Sequence, residues 1–272
     1  MKYCRFLFEN KTHYGAVEDR AGEPWIVDLT RAPEDDLAFR LEHGRATSWS
    51  FDFEPMPLTA ADLLPPVTPS KIVCVGRNYR DHARELGNEI PAEPLLFFKP
   101  PSSLLKPGGV VRIPTASTRV DFEGELALVI AQRARKLSPH AGWRAFVRGC
   151  TLANDVTARD LHKKDGQWTR AKGFDTFCPV GPIVSDELDP AAGLTIETRV
   201  NNEVRQHGST LDFIFPIPAL LAYITAVLTL EPGDLVLTGT PAGVGPLAAG
   251  DRVEVSIPGL GVLASTVEMD AG

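Results

Sequence analysis

Cysteine is scarce in this 272-residue chain: Cys4, Cys74, Cys150 and Cys178 stand far apart. None forms a C-x-x-C pair, which excludes a zinc ribbon and a thioredoxin-like motif. An excess of basic residues is also missing. The net charge is -7, whereas a general nucleic-acid binder needs a basic footprint, so no nucleic-acid partner is expected. A membrane helix needs roughly 20 unbroken apolar residues. The longest apolar run, 213–230, carries Pro216 and Pro218 near its start and ends at a Glu-Pro-Gly-Asp turn. It predicts a buried helix over about 219–228 and no membrane partner. The N-terminus turns polar too soon for a signal peptide, which predicts a cytoplasmic protein with free thiols. The glycine-rich stretch 238–245 lacks both the G-K-[ST] ending of a P-loop and a G-x-G-x-x-G pattern, so no nucleotide site is expected. Its glycines would instead let backbone approach a ligand or turn sharply. No internal repeat is present.

What is there is an ordinary globular composition, 43% hydrophobic and 23% charged, with room for one large domain and a small companion. Residues 3–8, 12–17 and 25–29 read as short strands, and 35–43 as a helix. Pro65, Pro66 and Pro69 suggest a linker. The predicted division is a small β-rich N-terminal domain over 1–66 and a main domain over 67–272. In the latter, strands are expected over 72–75, 95–98, 110–113, 120–130, 149–155 and 235–237, with hairpins over 194–206 and 253–267. Asn78 is a candidate cap for a helix that runs through Leu86 and stops at Gly87, followed by a loop over 88–94. A short helix is expected over 144–148. The class is α+β, predominantly β.

The stretch VDFEGELALVI, 120–130, carries Glu123 and Glu125. Side chains two apart on a strand share a face. Two like charges in a partly buried place repel and are costly to desolvate, and a divalent cation would remove that cost. A solvated strand face with two acids is the equal alternative. His82 and Glu85, three apart on the expected helix, share a face. They form either a routine surface pair or an oriented general base on a mobile lid. Asp155 ends a buried strand, as a site residue or as a helix cap. The stretch 157–172 is the most cationic part of the chain and includes Arg159, His162, Gln167 and Lys172. It suits an anionic substrate or a solvated loop.

In order along the chain, GRNYRDHAREL, FFKPPSSL, VDFEGELALVI, ANDVTARD, AKGFDTFCPVGP, LTGTPAGVG and GDRVEVSIPGLG appear. From about residue 71 onward the chain therefore resembles the fumarylacetoacetate hydrolase family, of the two-domain type that includes 2-hydroxyhepta-2,4-diene-1,7-dioate isomerases and acylpyruvases. The resemblance implies a mixed β-sandwich roll and a homodimer. It puts the metal carboxylates on Glu123, Glu125 and Asp155. It puts the lid pair on His82 and Glu85, and a catalytic lysine on Lys172. Substrate contacts are implied at Arg159, Gln167, Gly239, Thr240 and His162. The last stands where many members carry glutamine, which bears on substrate choice.

Three carboxylates suit a hard cation, Mg²⁺ or Mn²⁺. The expected function is metal-dependent hydrolytic C–C cleavage or isomerisation of a small 2,4-dioxo or 2-hydroxy-dienoic acid, as in aromatic catabolism. The close alternative is an oxaloacetate tautomerase or decarboxylase. A further alternative is a non-catalytic metal- or ligand-binding protein on the same scaffold.

Overall fold

The computed structural model describes residues 1–33, 36, 53–85, 87 and 89–271. The helix expected over 35–43 lies outside the described residues apart from Asp36, as do Leu86 and Asn88 at the end of the His82 helix. The fold is mostly β. A twelve-stranded sheet runs, neighbour by neighbour, through Met56–Pro57, Glu23–Thr30, Lys11–Arg20, Lys2–Phe8, Cys178–Ser185, Val147–Asn154, Gly124–Ile130, Leu235–Leu237, Ile72–Gly76 and Leu95–Lys99, with Asp62–Leu64 and Leu104–Leu105 paired off that path. A five-stranded sheet, Glu203–Ser209, Thr195–Val200, Arg252–Ile257, Gly261–Met269 and Val110–Ile113, packs on the large one.

The strand Gly124–Ile130 lies between two neighbours in the large sheet, and every one of its residues is buried. Alternation then works across the sheet rather than between core and water. Leu126, Leu128 and Ile130 face a core completed by the helix Ile217–Val227 and by Ile196, Val255 and Ile257 of the smaller sheet. Ala127 and Val129 face the opposite core, with Tyr3, Tyr14 and Val180. Each such leucine or isoleucine contributes about 1.5–3 kcal/mol on burial. In the smaller sheet, Asn201 and Asn202 turn the Thr195–Val200 hairpin with φ of 52° and 69°, a conformation asparagine tolerates better than most residues.

The N-terminal strands have a core of their own, in which Cys4, Phe6, Val17, Ile26 and Leu58 meet Ile183. They also join the large sheet, since Lys2 and Tyr3 pair with Ser185 and Val184. All four cysteines are free and buried. Burial pushes the thiols of Cys4, Cys150 and Cys178 up to about 12. No helix among the described residues is long and apolar enough to cross a membrane.

Three local expectations need correction. The single strand over 120–130 is two. Val120–Phe122 belongs to a separate three-stranded sheet with Thr157–Ala158 and Gly245–Pro246, and the chain changes sheets at Glu123. Side chains replace the ladder there: Glu123 N–H donates to Asn154 Oδ1 and Gly124 N–H to Gln206 Oε1, both at 2.9 Å. Secondly, Asn78 is not a helix cap. Buried, it accepts from Phe215 N–H at 2.8 Å and donates to the carbonyls of Thr238 (2.8 Å) and Phe215 (3.2 Å). It thus ties the entry of the Arg80–Glu85 helix to two other segments. Thirdly, 144–148 is a single 3-10 turn, Trp143–Phe146, because Val147 pairs with Ile130 and starts the strand early.

The sheet change at Glu123 depends on glycine next door. A Cβ on Gly124 would lie 2.1 Å from Thr198 Oγ1 and 3.2 Å from Val255. Gly124→Ala is expected to destabilise the protein by about 1–3 kcal/mol through overpacking, measured by urea denaturation. An unchanged midpoint would mean that the two sheets do not meet so closely.

Candidate active site

The sheet change brings three carboxylates together. Glu123 occupies the break, Glu125 follows on the strand, and Asp155 comes directly after Val147–Asn154. Gly124 pairs with Asn154, and Asp155 N–H donates to Glu123 O at 2.8 Å, so the two segments are held side by side. One carboxylate oxygen from each of the three acids lies within 4.8 Å of the others, and all three residues are buried.

Positive charge reaches the cluster from three directions. Lys172, at the end of the short helix Thr169–Lys172, donates to Glu123 Oε2 at 2.8 Å and to Asp155 Oδ2 at 2.5 Å. Lys99, at the end of Leu95–Lys99, donates to Asp155 Oδ1 at 2.7 Å and to Val156 O at 3.0 Å. Arg159, first in the helix Arg159–Asp165, spans Glu123 and Asp121, the latter at 2.9 Å. Asp121 also accepts from Arg119 at 2.8 Å.

The electrostatic result differs along the cluster. Burial works to raise the Glu123 carboxyl, but the Lys172 ammonium and the Arg159 guanidinium outweigh it and hold it far below the usual range. Glu125 goes the other way. Burial, together with the charges of Asp155 and Glu123, pushes it well up, despite Lys172 and a hydrogen bond from Gly239 N–H at 2.7 Å. Glu125 is therefore the acid whose charge is least compensated.

His82 lines the cleft above these acids and is buried. Burial lowers its pKa and prevails over the nearby Glu123 and Glu85 carboxylates, so the imidazole is neutral near pH 7. Its Nδ1 lies 3.5 Å from Glu85 Oε2 and makes no hydrogen bond. Glu85 is latched elsewhere: both its oxygens accept from Gly243 N–H at 3.1 Å. The base and its orienting acid are thus adjacent but not bonded.

Thr240 lines the same cleft. Its hydroxyl donates to Gly124 O at 2.8 Å and accepts from Gln206 at 2.7 Å. Gly239 serves through its N–H, with φ of 99°. A Cβ there would lie 2.8 Å from that of Asn78, so the position requires glycine on two counts. His162 lies in the wall, stacked on Trp168 with ring centres 4.2 Å apart. Burial, then the charges of Lys172 and Arg159, lowers it to about 4. Phe97 and Arg77 complete that side of the cleft.

One expected residue is not brought in. Gln167 is exposed and lines a neighbouring surface hollow with Leu95, Phe98 and Thr169. The turn that follows the Arg159–Asp165 helix faces it outward. Conversely, sequence reading assigns no role to Lys99, Asp121 or Gln206. A lysine that closes an apolar strand before Pro100-Pro101 is a signal for the first, and Asp121 stands two residues from Glu123. Gln206 lies in an exposed-looking hairpin and carries no local signal.

Three convergent, buried carboxylates form the donor set of a hard divalent cation. Such an ion would be held by Glu123, Glu125 and Asp155, and would compete with Lys172 for two of them. Glu123→Gln and Glu125→Gln are each expected to weaken Mg²⁺ binding by roughly tenfold or more in calorimetric titration. Wild-type affinity in both variants would remove the cluster as a metal site.

Residues 71–268 match the profile described as fumarylacetoacetate (FAA) hydrolase, C-terminal. The oxaloacetate tautomerase FAHD1, mitochondrial, of Arabidopsis thaliana is 45% identical over 205 residues, 73% of this chain and 91% of that protein. The oxaloacetate decarboxylase, mitochondrial, of Dictyostelium discoideum is 44% identical over 199 residues, 71% and 91%. Among solved structures, the 2-hydroxyhepta-2,4-diene-1,7-dioate isomerase of Mycobacterium marinum superposes with a TM-score of 0.84 at 38% identity, over 100% of both chains. The chain belongs to the fumarylacetoacetate hydrolase family.

Proposed function

We propose that the protein is a divalent-metal-dependent enzyme that moves a proton at the carbon beside the 2-oxo group of a small 2-oxo acid. The reaction is tautomerisation or isomerisation, with hydrolytic cleavage where the substrate is a 2,4-dioxo acid. The observation that carries this is a neutral, buried His82 in the same cleft as the three convergent carboxylates. Bound Mg²⁺ or Mn²⁺ would polarise the 2-oxo group and offset the negative charge that develops there. The chain's own groups do the rest.

His82 accepts the proton from C3 and, in tautomerisation, returns it to the 2-oxo oxygen; in isomerisation it returns it to a carbon two bonds away. Glu85, three residues on in the same helix, orients the ring through Nδ1 when the lid closes. Lys172 adds positive charge beside the developing oxyanion. At Thr240, whose hydroxyl is spent on Gly124 O, the backbone N–H and its neighbours hold the carboxylate. For a 2,4-dioxo acid, His82 instead takes a proton from water. The hydroxyl adds to C4, the C3–C4 bond breaks with its electrons left on C3, and C3 is then protonated. The same reading includes a cytoplasmic homodimer.

A second reading, oxaloacetate tautomerase or decarboxylase, is favoured by the two oxaloacetate enzymes among the relatives. Decarboxylation breaks the C3–C4 bond with loss of CO₂ and needs no base at C3. His82→Ala separates proton transfer from decarboxylation: it is expected to lower tautomerisation, isomerisation or cleavage by roughly 10²–10⁴-fold while Mg²⁺ affinity holds. A decarboxylase would retain most of its rate.

The decisive trial is a panel of acylpyruvates, oxaloacetate and 2-hydroxy-dienedioates with Mg²⁺ or Mn²⁺, followed by ultraviolet absorbance. Turnover of at least one class is expected. A protein that binds the metal and turns over none would be a binding protein on this scaffold.

A further inference from the structure

Resting on the 2-oxo acid reading, we propose that Arg77 determines specificity by binding a second, distal carboxylate, so that the protein selects 2-oxo dicarboxylic acids over monoacids of equal length. The inference starts from where the cleft's positive charge goes. Lys172 is taken up by Glu123 and Asp155, and Arg159 by Asp121 and Glu123. Just behind, Lys99 is committed to Asp155, and Arg119 to Asp121. Three acids, Glu123, Asp155 and Asp121, thus take up all four of these cations. None of these cations is left to draw a remote anion.

Arg77 stands apart. It follows the strand Ile72–Gly76, lines the cleft, and is half-buried. Among the described residues its side chain has no ion-pair or hydrogen-bond partner, unlike Lys172 and Arg159 beside it. A partly desolvated guanidinium with all its donors free is placed for a ligand rather than for the fold. Its planar fork matches a carboxylate bidentately.

The backbone supports the assignment. Arg77 has φ of 54°, in the left-handed region that costs a non-glycine residue roughly 1–2 kcal/mol. Gly76 beside it packs against the Trp168 ring, where a Cβ would come within 3.1 Å. Strain persists where the surroundings over-determine it, and such positions cluster at ligand clamps. The wall shared by Arg77 and the acid cluster is formed by Phe97, Trp168 and His162, stacked or edge-to-face. An aliphatic or dienoic chain would cross these rings, with its 2-oxo end on the acids and its far end at the guanidinium.

The test uses pairs that offer no 4-oxo group or 3-carboxylate to cleave and differ only at the terminal carbon: 2-oxoglutarate against 2-oxopentanoate, and 2-oxoadipate against 2-oxohexanoate. Binding is read by calorimetry with Mg²⁺ present, for the wild type, Arg77→Gln and Arg77→Lys. Near-ultraviolet circular dichroism checks the fold, and Arg77→Gly, which relieves the backbone, serves if the glutamine variant misfolds. In at least one pair the wild type is expected to prefer the diacid by roughly tenfold or more. Arg77→Gln and Arg77→Gly abolish that preference and leave monoacid binding within about threefold, while Arg77→Lys retains part of it. Equal wild-type affinities in both pairs, or a preference that survives Arg77→Gln, would overturn the role of Arg77 and leave the 2-oxo acid reading standing. Failure of the wild type to bind any of the four acids, joined to a silent substrate panel, would overturn that reading and this inference together.

Discussion

Three carboxylates whose oxygens lie within 4.8 Å of one another, and away from water, must be given positive charge from outside. Two unit charges about 4 Å apart repel by about 4 kcal/mol even at an effective dielectric of 20. Burial adds several kcal/mol of desolvation for each ion. In this protein the compensation comes from elements far apart in sequence: the end of Leu95–Lys99, the start of Arg159–Asp165 and the end of Thr169–Lys172. Each must reach the same point for the cluster to be tolerated. The requirement therefore fixes how the edge of the large sheet and the two short helices sit against its middle. Buried ion clusters of this kind are weak contributors to net stability, because well-packed apolar groups often do as well. Their retention here is better explained by what the acids can bind.

Compensation is deliberately incomplete at Glu125. Among the described residues, Glu123 has Arg159 and Lys172, and Asp155 has Lys99 and Lys172, whereas Glu125 has only a backbone N–H from Gly239. A divalent cation would supply what this acid lacks. Lys172, whose ammonium bridges two of the acids, would have to give way as a cation entered, and would then be free to face a substrate oxygen.

The parts of this arrangement legible in sequence are the local ones. Glu123 and Glu125 share a face because they are two apart, and His82 and Glu85 because they are three apart on a helix; neither fact needs tertiary structure. The sheet change at Glu123 is not legible in sequence, because Val120–Phe122 and Gly124–Ile130 together carry one continuous strand pattern, alternating at first and then wholly apolar. Asn78 looked like a cap because caps and clamps use the same amide, and only the positions of Phe215 and Thr238 decide between them. Gln206 escaped notice because hairpin residues are exposed by default, yet it is buried by the approach of the Thr240 loop. Gln167 is the reverse case: it neighbours cleft residues in sequence but follows a turn that faces it outward.

The segment after Leu235–Leu237 joins the halves of the site. Gly239 N–H holds Glu125, the Thr240 hydroxyl holds Gly124 O, and Gly243 N–H holds both oxygens of Glu85. Three residues within a five-residue span of one loop therefore touch an acid of the cluster, the strand that bears it, and the acid beside the base. Glu85 is divided between Gly243 and His82, and at 3.5 Å from Nδ1 it favours the loop. A carboxylate can accept from both at once, because each oxygen has two lone pairs. His82 and Glu85 ride on the same helix, so a rotation of the Glu85 side chain toward Nδ1, rather than a shift of the helix, would complete their bond while one oxygen keeps the latch. The loop that holds Glu125 thus also holds the acid that stands beside the base.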